Sequence, residues 1–173
     1  MTTELEQQIP DLITKLGNEN ILIRQRARLM LVHIGKASIP SLLEALKSEN
    51  SHRRWEATRA LGDLSDPRVA PALCDQLLDV DFSVRWAAME GLVNQGHNVA
   101  LRPMLESFVK HFDSAWLREG VHHVLRVFKD RNQLSDLEIE LFNALDKQQI
   151  PGFEPSWNGQ AAWAAEKVLE VLN

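Results

Sequence analysis

The chain has 173 residues, 19 Lys and Arg against 24 Asp and Glu, 45% apolar residues, one Cys and no Tyr. A chain of this size buries about 70% of the surface it exposes when unfolded, so one domain can hold together without metal or disulfide. The formal charge of -5 argues against a protein that coats nucleic acid through net charge alone, and the apolar content excludes a disordered chain.

In chain order, Thr3 with Glu6 reads as a capping box for an opening helix. The stretch from Met1 to Glu6 lacks the basic region and apolar run of a signal peptide. Pro10, Pro40, Pro71 and Pro103 then recur at spacings of 30, 31 and 32. Arg24, Arg54, Arg85 and Arg118 follow them by 14, 14, 14 and 15 residues. Further columns run Ala27, Ala57, Ala88, Val121 and Leu31, Leu61, Leu92, Leu125. Columns in this register define a repeat array. Each unit reads as two helices, the first with Pro in its opening turn, where a missing N–H costs nothing. Asn20, Asn50 and Asp81 stand four residues before their Arg, placed to cap the second helices. Asp113 or Ser114 takes that task in the fourth unit. A degenerate fifth unit has a helix over 136–145, an enlarged turn over 148–155 and a last helix capped by Ser156. The units span approximately 3–35, 36–65, 66–97, 98–130 and 135–173, as one domain.

Ile23-Arg24 with Ala27 and Leu31, Arg54-Trp55-Glu56-Ala57 with Ala60-Leu61-Gly62, and Val84-Arg85-Trp86-Ala87-Ala88 with Leu92 resemble short HEAT-like repeats of the phycobilisome-lyase type. The link from Leu64 to Leu73 matches too, and the likeness covers about residues 5–128 well. The resemblance implies an all-α, right-handed α-solenoid of about five helical hairpins whose second helices line a concave face. It leaves function open, because such arrays serve as scaffolds, lyases, hydroxylases and DNA glycosylases.

Turning the third unit's second helix by 100° per residue puts Val84, Ala87, Ala88 and Gly91 on one face, with Leu92 at its edge. The opposite face carries Trp86, Met89, Glu90 and Val93. The same columns elsewhere hold Gln25, Arg28, Leu29 and Val32; Trp55, Thr58, Arg59 and Gly62; Glu119, His122, His123 and Arg126; and Trp163, Glu166, Lys167 and Glu170. The arginine column is expected to bind loop carbonyls or a neighbouring Asp. Arg26 and Glu56 share a column and are expected to pair between repeats. Arg53 replaces an apolar residue of the pattern, its stem buried and its charge in solvent.

Catalysis has little support in the sequence. None of the six His is followed by Glu, and no CxxC or HExxH offers a zinc site. Glu119 can orient His122 or His123 as a general base, but no nucleophile accompanies them. Cys74 is expected in the core. The reading is therefore a non-enzymatic, monomeric protein- or peptide-binding scaffold in the cytoplasm, with no cofactor, no metal and no membrane segment. Its contacts would be Trp55, Trp86, Trp163, Arg28, Arg59, Met89, Glu90, Glu119 and His122. One alternative is a nucleic-acid binder using the arginines of residues 21–62, a segment of net charge +5. The other is a phycobilin-lyase-like or small-ligand-handling protein.

Overall fold

The computed structural model describes residues 4–147 and 158–172, where every regular element is helical. The Thr3 cap, the Ser156 cap and the enlarged turn over 148–155 lie outside the described residues. The chain forms two compact units, Met1–Gln95 and Gly96–Asn173, the break falling between the third and fourth repeats. No helix among the described residues is long and apolar enough to cross a membrane.

The first unit contains three hairpins: α1 (Ile9–Lys15) with α2 (Ile21–Ile34), α3 (Ile39–Ala45) with α4 (Ser51–Leu64), and α5 (Ala70–Gln76) with α6 (Phe82–Gln95). Each first helix has its Pro in the opening turn. The second helices start where the caps predict. Asn20 accepts from the Leu22 N–H, Asn50 from Arg53 and Asp81 from Ser83. Gly35, Ser65 and Gly96 follow the three second helices with φ of 79°, 47° and 83°, the left-handed geometry that ends a helix sharply. α2 packs on α4 and α4 on α6. Leu16, Leu31, Leu42, Leu61, Leu73, Leu77 and Leu92 fill the core, joined by the buried Cys74. α4 and α6 meet at two glycines: a Cβ on Gly62 would lie 2.7 Å from the Gly91 Cα. That approach is closed to any other residue at Gly62.

In the first unit the three column arginines tie loops together as expected. Arg24 donates to the carbonyls of Asn18 and Glu19 at 2.8 and 2.9 Å, and Arg85 to those of Asp79 and Val80 at 2.8 and 3.2 Å. Arg54 binds the Ser48 and Glu49 carbonyls and also forks onto the Asp79 carboxylate of the next loop. The Arg26–Glu56 pair does not form. Glu56 is wholly buried and faces Arg28 Nε at 3.1 Å and Arg24 Nε at 3.7 Å. These two arginines are four apart, so both lie on the α2 face that meets α4, and Arg26 points elsewhere.

The second unit comprises α7 (His97–Lys110), α8 (Ala115–Asp130), α9 (Asp136–Lys147) and α10 (Asn158–Val171). α7 packs on α8 and α10, and α9 on α8 and α10. Ser114, rather than Asp113, caps α8 through the Leu117 N–H. Pro103 departs from its column. α7 begins six residues earlier, at His97, so this Pro is interior and removes one hydrogen bond from the helix. Ser135 and Glu138 cap α9 reciprocally, and the same carboxylate meets His97 Nε2 at 3.1 Å. Phe108 and Phe128 anchor the core.

Candidate functional site

The columns expected on the open face divide in two. Arg28, Thr58, Met89 and His122 occupy equivalent positions, four residues after the column arginine, and all four are buried. Arg28 is committed to Glu56 and, through Nη1, to Asp63 at 2.5 Å. The Thr58 hydroxyl donates back to the Arg54 carbonyl. Met89 is only 2% exposed because it lies off the stripe of Phe82, Trp86, Glu90 and Asn94 along which α6 meets solvent. His122 stacks on Phe142 of α9 at 4.9 Å and faces Asp146 at 3.4 Å. Burial, reinforced by Arg126 and His123, lowers its pKa against the opposing pull of Asp146. Arg28, Met89 and His122 are thus structural, correcting their expected place on a binding face. A step of one residue, about 100° around the helix, decides the difference: positions four after the column arginine fill the seams between neighbouring helices, and positions five after it do not.

The accessible remainder in the first unit is a cleft of about 310 Å³ between α4 and α6. Trp55, Arg59 and Asp63 form one wall; Trp86, Glu90 and Asn94 form the other; Gly62, Ala87 and Gly91 form the floor. The floor is low because the two helices touch backbone to backbone. The Arg59 guanidinium sits 5.0 Å from the Trp55 ring centre, which holds both groups at the rim. Trp86 is 46% exposed, its ring tilted against Phe82 at 6.2 Å. Asp63 is engaged by Arg28, and Arg59 and Glu90 bring one charge of each sign to the two walls. Asp63 and Asn94 went unnoticed in the sequence. Their signal is spacing: Asp63 lies seven residues after Glu56, on the α4 face that meets the α2 arginines.

Trp163 lies in the second unit on α10, 56% exposed, with Lys167 Nζ 3.7 Å above its ring. Glu119 is exposed on α8, whereas His122 is turned inward. Among the arginines offered for nucleic acid, Arg24, Arg28 and Arg54 are used in intramolecular contacts. Among the described residues no group of three or more His, Cys, Asp or Glu is placed to hold a metal.

The family model for HEAT repeats matches residues 9–93. Phycocyanobilin lyase subunit beta of Pseudanabaena tenuis is 38% identical over 89 residues, 51% of this chain. That match spans about a third of the relative's length, 32%. Among solved structures, the complex of CpcE and CpcF of phycocyanin lyase from Nostoc sp. PCC7120 matches with a TM-score of 0.62 at 22% identity. It covers 91% of this chain and 98% of that chain. The expected non-enzymatic scaffold is overturned by these relatives, which are lyase subunits and favour the lyase alternative. Repeat spacing, stacked hairpins and the match over residues 9–93 agree: the chain is an all-α array of HEAT-like repeats, similar over about half its length to a phycocyanobilin lyase subunit.

Proposed function

We propose that the chain is a bilin-lyase subunit that handles a phycocyanobilin-type open-chain tetrapyrrole together with a protein partner. The observation that carries this reading is the 38% identity to a phycocyanobilin lyase subunit. The cleft between α4 and α6 supports it chemically. A flat, conjugated chromophore with acidic side chains calls for aromatic faces, a cation and an acceptor for ring N–H groups. Trp55 and Trp86 offer the faces, Arg59 the cation and Glu90 the acceptor. These residues bind and orient; no covalent step is assigned to a side chain, and Cys74 is too deeply buried to serve as a nucleophile. The solved neighbour being a two-subunit complex supports a protein partner, for which Trp163 and Glu119 are candidate contacts. A cytoplasmic setting suits this role.

The test is titration of the purified chain with phycocyanobilin, alone and with a lyase subunit of the CpcE or CpcF type, followed by chromophore absorbance and Trp quenching. Saturable binding is expected, weakened roughly tenfold or more by Trp86→Ala or Arg59→Ala. No binding under either condition would remove the lyase reading.

A further inference from the structure

The residue before each column arginine is Ile23, Arg53, Val84 and Leu117. Val84 and Leu117 are fully buried, Ile23 of the terminal repeat is 39% exposed, and the second repeat, which has a neighbour on each side, places a half-buried cation here. Elsewhere in this unit cations in such places are matched: Arg24 and Arg28 have Glu56, and Arg54 has Asp79. Arg53 has no carboxylate partner among the described residues. Its Nε is buried without a hydrogen bond, and Nη1 reaches only the Ser48 hydroxyl, at a long 3.4 Å. Arg24 and Arg28 also have a buried Nε without a hydrogen bond, but both face the Glu56 carboxylate, so what sets Arg53 apart from them is the missing carboxylate.

The surroundings are shaped to that guanidinium. A Cβ on Gly17 would lie 3.2 and 3.3 Å from Arg53 Nη2 and Nε, so the bare glycine makes its room. Asn50 fixes that loop by donating to the Gly17 carbonyl. Arg53 lines a pocket of about 470 Å³ that is separate from the α4–α6 cleft. Pro10, Ile13 and Ala45 give it an apolar wall, and Ser41 and Ser48 add hydroxyls. Lys47, also on the lining, is matched by Glu44 at 2.8 Å, which leaves one uncompensated positive charge.

We infer that this pocket binds a small carboxylate carried on an apolar body. The carboxylate accepts from the terminal Nη groups of Arg53 and from the Ser48 hydroxyl, and the body lies against Pro10, Ile13 and Ala45. A dianion fits less well, since one net cation faces it and Glu44 repels it. The inference goes beyond the lyase reading and does not depend on it.

The experiment titrates the full chain with hexanoate and, separately, with inorganic phosphate, following the Arg53 Nε–H and Gly17 amide signals by NMR. Hexanoate is expected to shift both saturably, and phosphate to produce no saturable shift. Arg53→Leu is expected to fold with an unchanged or higher Tm and to weaken hexanoate tenfold or more. Arg53→Gln, which keeps a polar stem without charge, gives the same reading should the leucine variant fail to fold. No saturable shift with hexanoate, an equal response to phosphate, or undiminished binding in the charge-free variant would each overturn the inference.

Discussion

Arg54 in the second hairpin holds Asp79, in the loop before α6, with two parallel hydrogen bonds of 2.7 and 3.0 Å. Both side chains are largely buried, at 13% and 8% exposure. Asp79 keeps Arg54 firmly protonated, its pKa raised chiefly by that side-chain hydrogen bond. Removing one partner of such a pair strands the other, at a cost of about 3 kcal/mol. Arg54→Ala and Asp79→Ala should each lower stability by about that amount, and the double variant by much less than the sum. Urea denaturation of the four species measures the coupling.

The two-glycine contact predicts an ordered pair of effects. Gly62→Ala places a methyl 2.7 Å from backbone, which cannot yield, whereas Gly91→Ala meets the movable Leu73 side chain at 3.2 Å and the Gly62 Cα at 3.3 Å. Overpacking costs about 1–3 kcal/mol, with Gly62→Ala at the upper end and Gly91→Ala below it. Thermal melts of the two variants decide; two equally mild effects would show that the helices separate freely, and the reverse order would overturn this reading of the contact.

Trp86 and Met89 share one helix and separate binding from packing. Met89→Ala should cost about 2–5 kcal/mol, the loss of a buried side chain with its cavity. Trp86→Ala, with nearly half the ring already in water, should cost under about 1 kcal/mol. Equal destabilisation in the melts would place Trp86 in the core and remove it from the cleft.

The histidine of the second unit gives stability a pH dependence. Burial lowers the His122 pKa below its ordinary value of 6.5, so the unfolded chain takes up its proton first. The contribution of His122 is complete above pH 6.5 and is lost as pH falls from there through the folded value. His122→Gln should flatten that part of the Tm–pH curve. An unchanged slope in the variant would assign it to another group.

Helical hairpins, caps and the small-residue core were legible because each rests on local chemistry repeated at a fixed interval. Pro10, Pro40 and Pro71 marked helix starts correctly; Pro103 did not, because α7 had already begun at His97. The face assignment slipped at Arg28, Thr58, Met89 and His122. A helical wheel reads polar side chains as solvated, yet here the seams carry matched polar pairs such as Arg28 with Glu56. His97 with Glu138, 41 residues apart, left no periodic trace. Trp55, Arg59, Trp86 and Glu90 were legible as a group because they stand one and five residues after the column arginine.

The ties from one hairpin to the next have a thermodynamic meaning. Arg28 reaches Glu56 and Asp63, and Arg54 reaches Asp79, so each crosses into the following repeat. In a linear array, stability divides into the intrinsic term of each repeat and the coupling between neighbours. Short first helices of seven residues leave the intrinsic term small, and buried charged ties enlarge the coupling. The three hairpins of the first unit should therefore open as one cooperative block, and hydrogen exchange should give amide protons in the middles of α2, α4 and α6 a common opening free energy.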